Sequence, residues 1–512
     1  MDLLKPHIST DFYKVAHAMN VNMEGQSVAG LHPVGISRMY LGLTPRGNSY
    51  FPYDDKMVVF GYEFFVHSLN NTWKKNFFDK PWSELEEDFD VFGMMSSETI
   101  QESVAAKFKA MHELGYLPLN VKSLPEGTLA PMRVPVFTIE NTHPDFYWLP
   151  GYLETTTLAN TFVTSTVAST ARQFLKIAHE FAELAADSTD YINFQFHDFS
   201  QRGQHGDEAA VLSGIGHLAS FKGSDSISAV YAASQHWKGT DKGQMIGGSV
   251  VATEHSIMES LGGAFGTDAQ GQIDAWESLI DRNQDSILSV VTDTYDHWEI
   301  FDVVLPALKD KILARNGKLV LRPDSISEYR ESNGEHITSV EMQLVRILES
   351  LYATFGGTIN SKGYKVLDPH VGVLHGEGVT LENIESYFTA MTDAGFSPEN
   401  LVFGVGAYVY SVKVSRDDFA QAIKASAAII DGKEVAIFKK PKSKKESFKR
   451  SPKGVVSIHG ESGEYTMVEE LTFDQAENDP ENKLRLIMQD GVVMNPAPLT
   501  DIRELIKSEL HK

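Results

Sequence analysis

The chain has 512 residues, enough for about three average domains or for one large barrel with a second domain. It is 42% hydrophobic and 22% charged, and 45 Lys and Arg against 69 Asp and Glu leave a net charge of −24, which argues against a general nucleic-acid coat or an anionic membrane surface as partner. With no cysteine, disulfides, thiolate metal sites and cysteine nucleophiles are excluded. Met1–Pro6 has no apolar core of signal-peptide length and no run nears the roughly 18 apolar residues of a spanning helix, so the expectation is a soluble cytoplasmic protein.

In chain order, His7–His17 is a polar, helical opening carrying Asp11, Tyr13 and Lys14. Ile36–Leu43 reads as a strand that ends in the turn Thr44-Pro45-Arg46-Gly47. Helical periodicity covers Tyr62–Phe78 and Ser97–Leu114, Val121–Val136 is strand-like and punctuated by proline, and Thr164–Leu184 is a long helix. From about residue 190 short apolar runs alternate with amphipathic ones. Strands are expected at Tyr191–Phe196, Gly247–Ala252, Ile287–Val291, Leu319–Leu321, Tyr364–Leu367 and Leu401–Phe403. Helices are expected at Glu208–Leu218, Ile273–Arg282, Trp298–Arg315 (interrupted by Pro306), Val340–Phe355 and Leu381–Ala394. This β–α alternation predicts a parallel sheet covered by helices, closed as a barrel over 187–405. A second, α+β domain is expected from both chain ends, 1–186 and 406–512. Its C-terminal part holds a helix at Asp417–Ala427, several short strands, and a basic run, Lys439–Lys453, read as a mobile loop.

In a parallel α/β barrel the site lies at the carboxyl ends of the strands. The residues just after the apolar runs are polar or glycine: His197-Asp198-Phe199 with Arg202, Gly223-Ser224-Asp225, Thr253-Glu254-His255-Ser256, Thr292-Asp293-Thr294-Tyr295-Asp296, Arg322-Pro323-Asp324-Ser325, His375-Gly376-Glu377-Gly378 and Gly404-Val405-Gly406. Arg202 and Arg322 are cationic forks suited to phosphate. Asp293, Asp324 and Glu377 suit ribose hydroxyls or Mg²⁺, which prefers oxygen ligands. Gly376, Gly378, Gly404 and Gly406 let backbone amides approach phosphate oxygens, although neither run is a Walker loop or a dinucleotide fingerprint. Zinc is disfavoured, because the histidines lack paired ligand spacing. Phe199 either stacks on a flat heterocycle or packs in the core, and His255 is a general base, a phosphate acceptor or a structural histidine.

These runs, together with Thr10–Val15, Phe221–Asp225 and Asp501-Ile502-Arg503, make the chain resemble the nicotinamide phosphoribosyltransferase family over nearly its whole length, most closely the bacterial and phage branch. The resemblance implies a type II phosphoribosyltransferase, an α/β barrel with a second domain, working as a homodimer with sites at the subunit interface. It implies nicotinamide between Phe199 and Tyr13 of the partner subunit, with Asp11 beside that tyrosine. Asp225 would accept from the carboxamide, Arg322 would meet the amide oxygen and the phosphate, and Asp324 would hold the ribose. Asp293 would lie at the pyrophosphate and Mg²⁺. Arg202, Gly376, Glu377 and Gly406 would line the ribose and phosphate, while Arg46, Arg416, Lys424 and Lys439 would reach the pyrophosphate from the other subunit. His255 matches the histidine that ATP phosphorylates, which makes ATP a coupled co-substrate; His255, Asp293 and Asp324 are the catalytic candidates. Glu377 departs from the Gly-Asp-Gly of the animal branch, and Gly404–Tyr408 replaces a longer glycine run. Nicotinate phosphoribosyltransferase and a non-catalytic sensor of nucleotide or phosphoribosyl pyrophosphate are the rival readings.

Overall fold

A computed structural model describes residues 5–19, 30–325, 329–330, 336–439 and 451–512. Most of the basic run falls outside the described residues; Lys439 and Lys453 lie within them.

Seven short strands form one parallel sheet: Phe196–Asp198, Gly223–Ser224, Val251–Ala252, Leu288–Val291, Leu319–Arg322, Val371–His375 and Leu401–Val405. All their pairings are parallel, and the last strand pairs with the first. The two edges meet at the bridge Gly223–Gly248, where Gly248 N donates to Lys222 O at 2.8 Å and Ser224 N to Gly248 O at 3.0 Å. The strands thus run in chain order round a barrel. Gly223 is required there, since a Cβ would stand 2.5 Å from Cδ2 of His197. Leu288–Val291 is buried throughout, as expected of strands covered on both faces. The helices Asp207–Leu218, Ala269–Arg282, Val340–Phe355 and Ile384–Asp393 supply buried faces to the same core.

Three expected elements are corrected. Tyr191–Phe196 is mostly a 3₁₀ turn over Asp190–Phe194, and the strand begins at Phe196. Local side-chain bonds win there: Ser188 Oγ accepts from Asp190 N at 3.1 Å, and Asn193 Nδ2 donates to Asp190 O at 3.0 Å. Tyr364–Leu367 contributes Lys365–Leu367 to an antiparallel hairpin with Gly357–Ile359, turned by Gly363 at φ +91°, and the barrel strand is Val371–His375. Asp417–Ala427 is not a helix. Ala422–Ile430 is a strand between Ile36–Thr44 and Lys433–Ala436, so tertiary pairing overrides the helix preference of its alanines. The expected break at Pro306 is present as a series of short helical pieces from His297 to Leu313.

The second sheet is antiparallel and draws on both chain ends, in the order Lys433–Ala436, Ala422–Ile430, Ile36–Thr44, Phe137–Asn141, Leu119–Ser123, Arg485–Gln489, Val492–Val493. It has a separate core rich in aromatics such as Trp73, Phe108 and Trp148. The helix Glu154–Ala185 runs longer than expected and joins the two cores, with Leu158 in one and Val167 to Ala182 in the other. The last helix, Leu499–Ser508, packs against the barrel. Asp241 caps it by accepting from Leu499 N at 2.5 Å and Thr500 N at 3.0 Å, and buried Arg503 donates to the carbonyls of Leu218 and Ile246 at 2.8 and 2.6 Å. Among the described residues no helix is long and apolar enough to cross a membrane.

Candidate active site

The barrel places its polar strand ends on one rim, and there a cavity of about 600 Å³ is lined by Asp198, Phe199, Arg202, Asp225, Arg322 and Asp324, with Gln204 and Ser226 between them. Five of these, Phe199, Arg202, Asp225, Arg322 and Asp324, are candidates from the sequence, and they converge from three strand ends.

Phe199 comes directly after the first strand, tied by its N–H to Val405 O at 2.9 Å. Its half-buried ring lies over glycines. A Cβ on Gly404 would stand 2.2 Å from Cδ2 of that ring, and one on Gly376 3.3 Å from Cε2. These two glycines therefore make room for an aromatic face, a second demand for glycine beside the expected approach of their amides to phosphate. Gly406 and Gly378 remain open, with nothing within 4 Å of an added Cβ. Glu377 is exposed and is not among the cavity's described lining.

Asp225 is exposed at the cavity edge, and one of its carboxylate oxygens accepts from Ser249 Oγ. Arg322 ends its strand with Nη2 donating to Thr253 O at 2.7 Å, while its buried Nε has no protein partner. One guanidinium edge is thus anchored and the rest is free for an anion. Asp293 bridges two rim loops: Oδ1 lies 3.2 Å from His255 Nε2, and Oδ2 accepts from Ser325 N at 2.7 Å. The His255 side chain is 43% exposed, and that of Asp293 only 7%. Among the described residues no three acidic or imidazole side chains stand together as a metal site.

The remaining candidates gather elsewhere. Tyr13 is exposed, and Asp11 accepts from Thr155 Oγ1 at 2.6 Å. Glu154 pairs with Lys14 and lies 3.6 Å from Lys424 Nζ. Arg46 Nε donates to Ala420 O at 2.9 Å; burial, and then nearby Arg416, lower its pKa. Burial also lowers that of Lys424. Ile437 N donates to Ser426 O at 2.8 Å, which brings Lys439 toward the Lys424 end of the strand pair. Tyr13, Asp11, Arg46, Arg416, Lys424 and Lys439 form a second, largely cationic surface on the antiparallel domain, apart from the described lining of the cavity.

Sequence reasoning missed Ser249, Gln204 and Ser226, whose roles depend on neighbours from other loops. It also missed His217, behind the rim. Its Nε2 meets Gly223 O at 2.8 Å and so must donate, which leaves Nδ1 to accept from Tyr410 OH at 2.9 Å. Burial pushes His217 and His297 down to about 4, so both are neutral at pH 7. Their folded pKa lies below the unfolded 6.5, so the unfolded chain binds more protons between those values. The stability they confer is full above about pH 6.5 and is lost as pH falls toward about 4, on the order of 3 kcal/mol for each. Thermal unfolding from about pH 8 to about pH 4 is expected to show Tm level above about 6.5 and falling steeply below it. His217→Gln should lessen that fall.

The profile of the nicotinate phosphoribosyltransferase (NAPRTase) family matches residues 194–489. The nicotinamide phosphoribosyltransferase of Acinetobacter baylyi is 31% identical over 523 residues, covering 99% of this chain and 98% of that protein. The protein of the same name from Mycoplasma pneumoniae is 33% identical over 326 residues, 63% of this chain and 67% of its own length. In fold, the crystal structure of nicotinate-nucleotide pyrophosphorylase from Pyrococcus furiosus aligns with a TM-score of 0.56 at 18% identity, covering 100% of this chain and 96% of that one. With a barrel whose strand ends converge on one cavity, and a match over more than half its length, the chain belongs to the nicotinate phosphoribosyltransferase family of pentosyl-transferring enzymes.

Proposed function

We propose that the enzyme makes nicotinamide mononucleotide and pyrophosphate from nicotinamide and phosphoribosyl pyrophosphate, as a cytoplasmic step of NAD salvage. The observation that carries this reading is the convergence of Phe199, Asp225 and Arg322 on one cavity. A flat ring, a hydrogen-bond acceptor and a cationic fork are the three groups that a pyridine carboxamide beside a sugar phosphate requires. The names of the Acinetobacter and Mycoplasma relatives support the same base.

In this reading the pyridine nitrogen attacks C1 of the ribose with its own lone pair, and the bond from C1 to the pyrophosphate oxygen breaks. No proton moves at the nucleophile, so no general base is needed. The protein contributes position and charge: Phe199 sets the ring plane, Asp225 accepts from the carboxamide, Asp324 holds the ribose, and Arg322 and Arg202 stabilise the departing anion. Mg²⁺ would neutralise pyrophosphate. Asp293, whose carboxylate oxygens each keep a lone pair beside the contacts to His255 and Ser325, would hold the ion together with substrate oxygens.

Two further parts belong to the proposal. The cationic surface formed by Arg46, Arg416, Lys424 and Lys439 would close over the pyrophosphate across a homodimer interface, with Tyr13 of the partner subunit against the free face of the base. His255, half exposed at the start of the helix His255–Phe265 and oriented by Asp293, would take the γ-phosphoryl group of ATP on an imidazole nitrogen, with ADP leaving. The helix N-terminus favours the added negative charge.

The test is formation of mononucleotide and pyrophosphate with nicotinamide or nicotinate, each with and without ATP. Product from nicotinamide, raised by ATP, is expected. Product from nicotinate alone would overturn the base assignment, and no product from either would favour the sensor. Asp225 carries the discrimination, because a carboxylate repels the carboxylate of nicotinate. Asp225→Asn is expected to cut the nicotinamide-over-nicotinate ratio of kcat/KM by roughly 10- to 100-fold, equivalent to about 1.4–3 kcal/mol. An unchanged ratio would remove Asp225 from base recognition.

A further inference from the structure

Asp198 stands between the two groups that the proposed function assigns to the base, and it touches the loop of each. Its side chain is fully buried. Oδ1 accepts from Ser200 N at 2.9 Å, the residue after Phe199. Oδ2 accepts from Ser226 Oγ at 2.6 Å, the residue after Asp225. Its own carbonyl accepts from Asp225 N at 3.1 Å. Ser200 and Ser226 are themselves buried, and a Cβ on Gly214 would come within 3.1 Å of Oδ2, so the neighbouring helix backbone closes over that oxygen. One carboxyl group, shielded from water, thus places one oxygen on each loop.

We propose that Asp198 is a positioning residue that holds the stacking ring of Phe199 and the recognition carboxylate of Asp225 in one fixed relation. The proposal rests on the reading of these two residues as the base site. Asp198 acts through them, and the quantity it governs is the register of one loop against the other. A ring and an acceptor must meet a single rigid heterocycle together, so a shift of either by about 1 Å is costly. The ribose and the other pyrophosphate cation are handled by another strand end, at Asp324 and Arg322, so they are less affected; Arg202, three residues beyond Phe199, is the one phosphate group that shares the tethered loop.

The test compares the full-length wild type with Asp198→Ala, Asp198→Asn and Ser226→Ala. Steady-state kinetics separate KM for nicotinamide from KM for phosphoribosyl pyrophosphate, and crystal structures of the same proteins give the placement of the two loops. Asp198→Ala is expected to raise KM for nicotinamide by roughly 30-fold, and Ser226→Ala by roughly 5-fold, with KM for phosphoribosyl pyrophosphate within about threefold. Asp198→Asn should recover most of the loss, since its amide oxygen still accepts from Ser200 N and its amide nitrogen donates to Ser226 Oγ. In the crystal structures Phe199 and Asp225 should be displaced relative to one another in the alanine variant and not in the asparagine one. Folded variants with unchanged loop placement and unchanged KM for nicotinamide would overturn the proposal. If Asp198→Ala does not fold, Ser226→Ala decides, because it cuts one tether and leaves the carboxyl group in place. A wild type that makes no mononucleotide would refute the functional reading, and the loop placement would still decide the positioning role.

Discussion

Arg322→Ala is expected to lower kcat/KM for phosphoribosyl transfer by about 10³-fold, the largest loss from a single rim residue. The guanidinium is built in from two sides. Its strand, Leu319–Arg322, is paired on both edges, and Nη2 is pinned to Thr253 O at 2.7 Å. Nε is buried without a protein partner, a donor that an anionic ligand would satisfy. Arg322→Lys should recover little, because an ammonium cannot keep the Thr253 bond and also offer a planar fork to phosphate. Steady-state kinetics with varied phosphoribosyl pyrophosphate, alongside circular dichroism to check the fold, measure the effect. Activity within threefold of wild type for Arg322→Ala would place the phosphate elsewhere.

Gly404→Ala acts on the other half of the site. The new Cβ would stand 2.2 and 2.4 Å from Cδ2 and Cε2 of Phe199 and 3.1 Å from the Cα of Gly376, so the ring cannot keep its place. The strand beneath is fixed by pairing, with Gly404 opposite His197, so the ring has to move. Overpacking of this kind costs about 1–3 kcal/mol in stability. In the proposed base site the displaced ring would no longer form the floor, and KM for the base is expected to rise by at least about tenfold. Gly239→Ala, where an added Cβ meets nothing within 4 Å, is the control, with Tm within about 1 °C of wild type. A wild-type KM for Gly404→Ala would show that the base does not lie on Phe199.

The order of β–α units was legible because buried parallel strands leave continuous apolar runs, as in Leu288–Val291 and Leu319–Leu321. Two strands were not legible as strands. Gly223–Ser224 is too short for a pattern, and Val371–His375 competes with the neighbouring Lys365–Leu367, whose residues satisfy the same local rule. The alanines of 422–430 carry a helix preference that only pairing with Ile36–Thr44 overrides. Cavity residues such as Arg322 and Asp225 stood out as charges beside short apolar runs and glycines. Ser249, Ser226 and His217 did not, because a hydroxyl or an imidazole has no distinguishing local context.

Residue types in order along the chain pointed to a parallel barrel with a polar rim and to Arg322 as a cationic fork on it, while the pairing of Phe199 with Asp225 as a base site came from the family resemblance. That information is local: hydrophobic period, strand stops, and the chemistry of the residue at each stop. Tertiary structure alone decided that Gly404 and Gly376 leave room for the ring of Phe199, that Asp293 joins His255 to Ser325, and that Asp198 bonds to two loops at once. Each of these is a contact between segments far apart in sequence, and its distance is fixed by strand register and close packing, which no single segment contains.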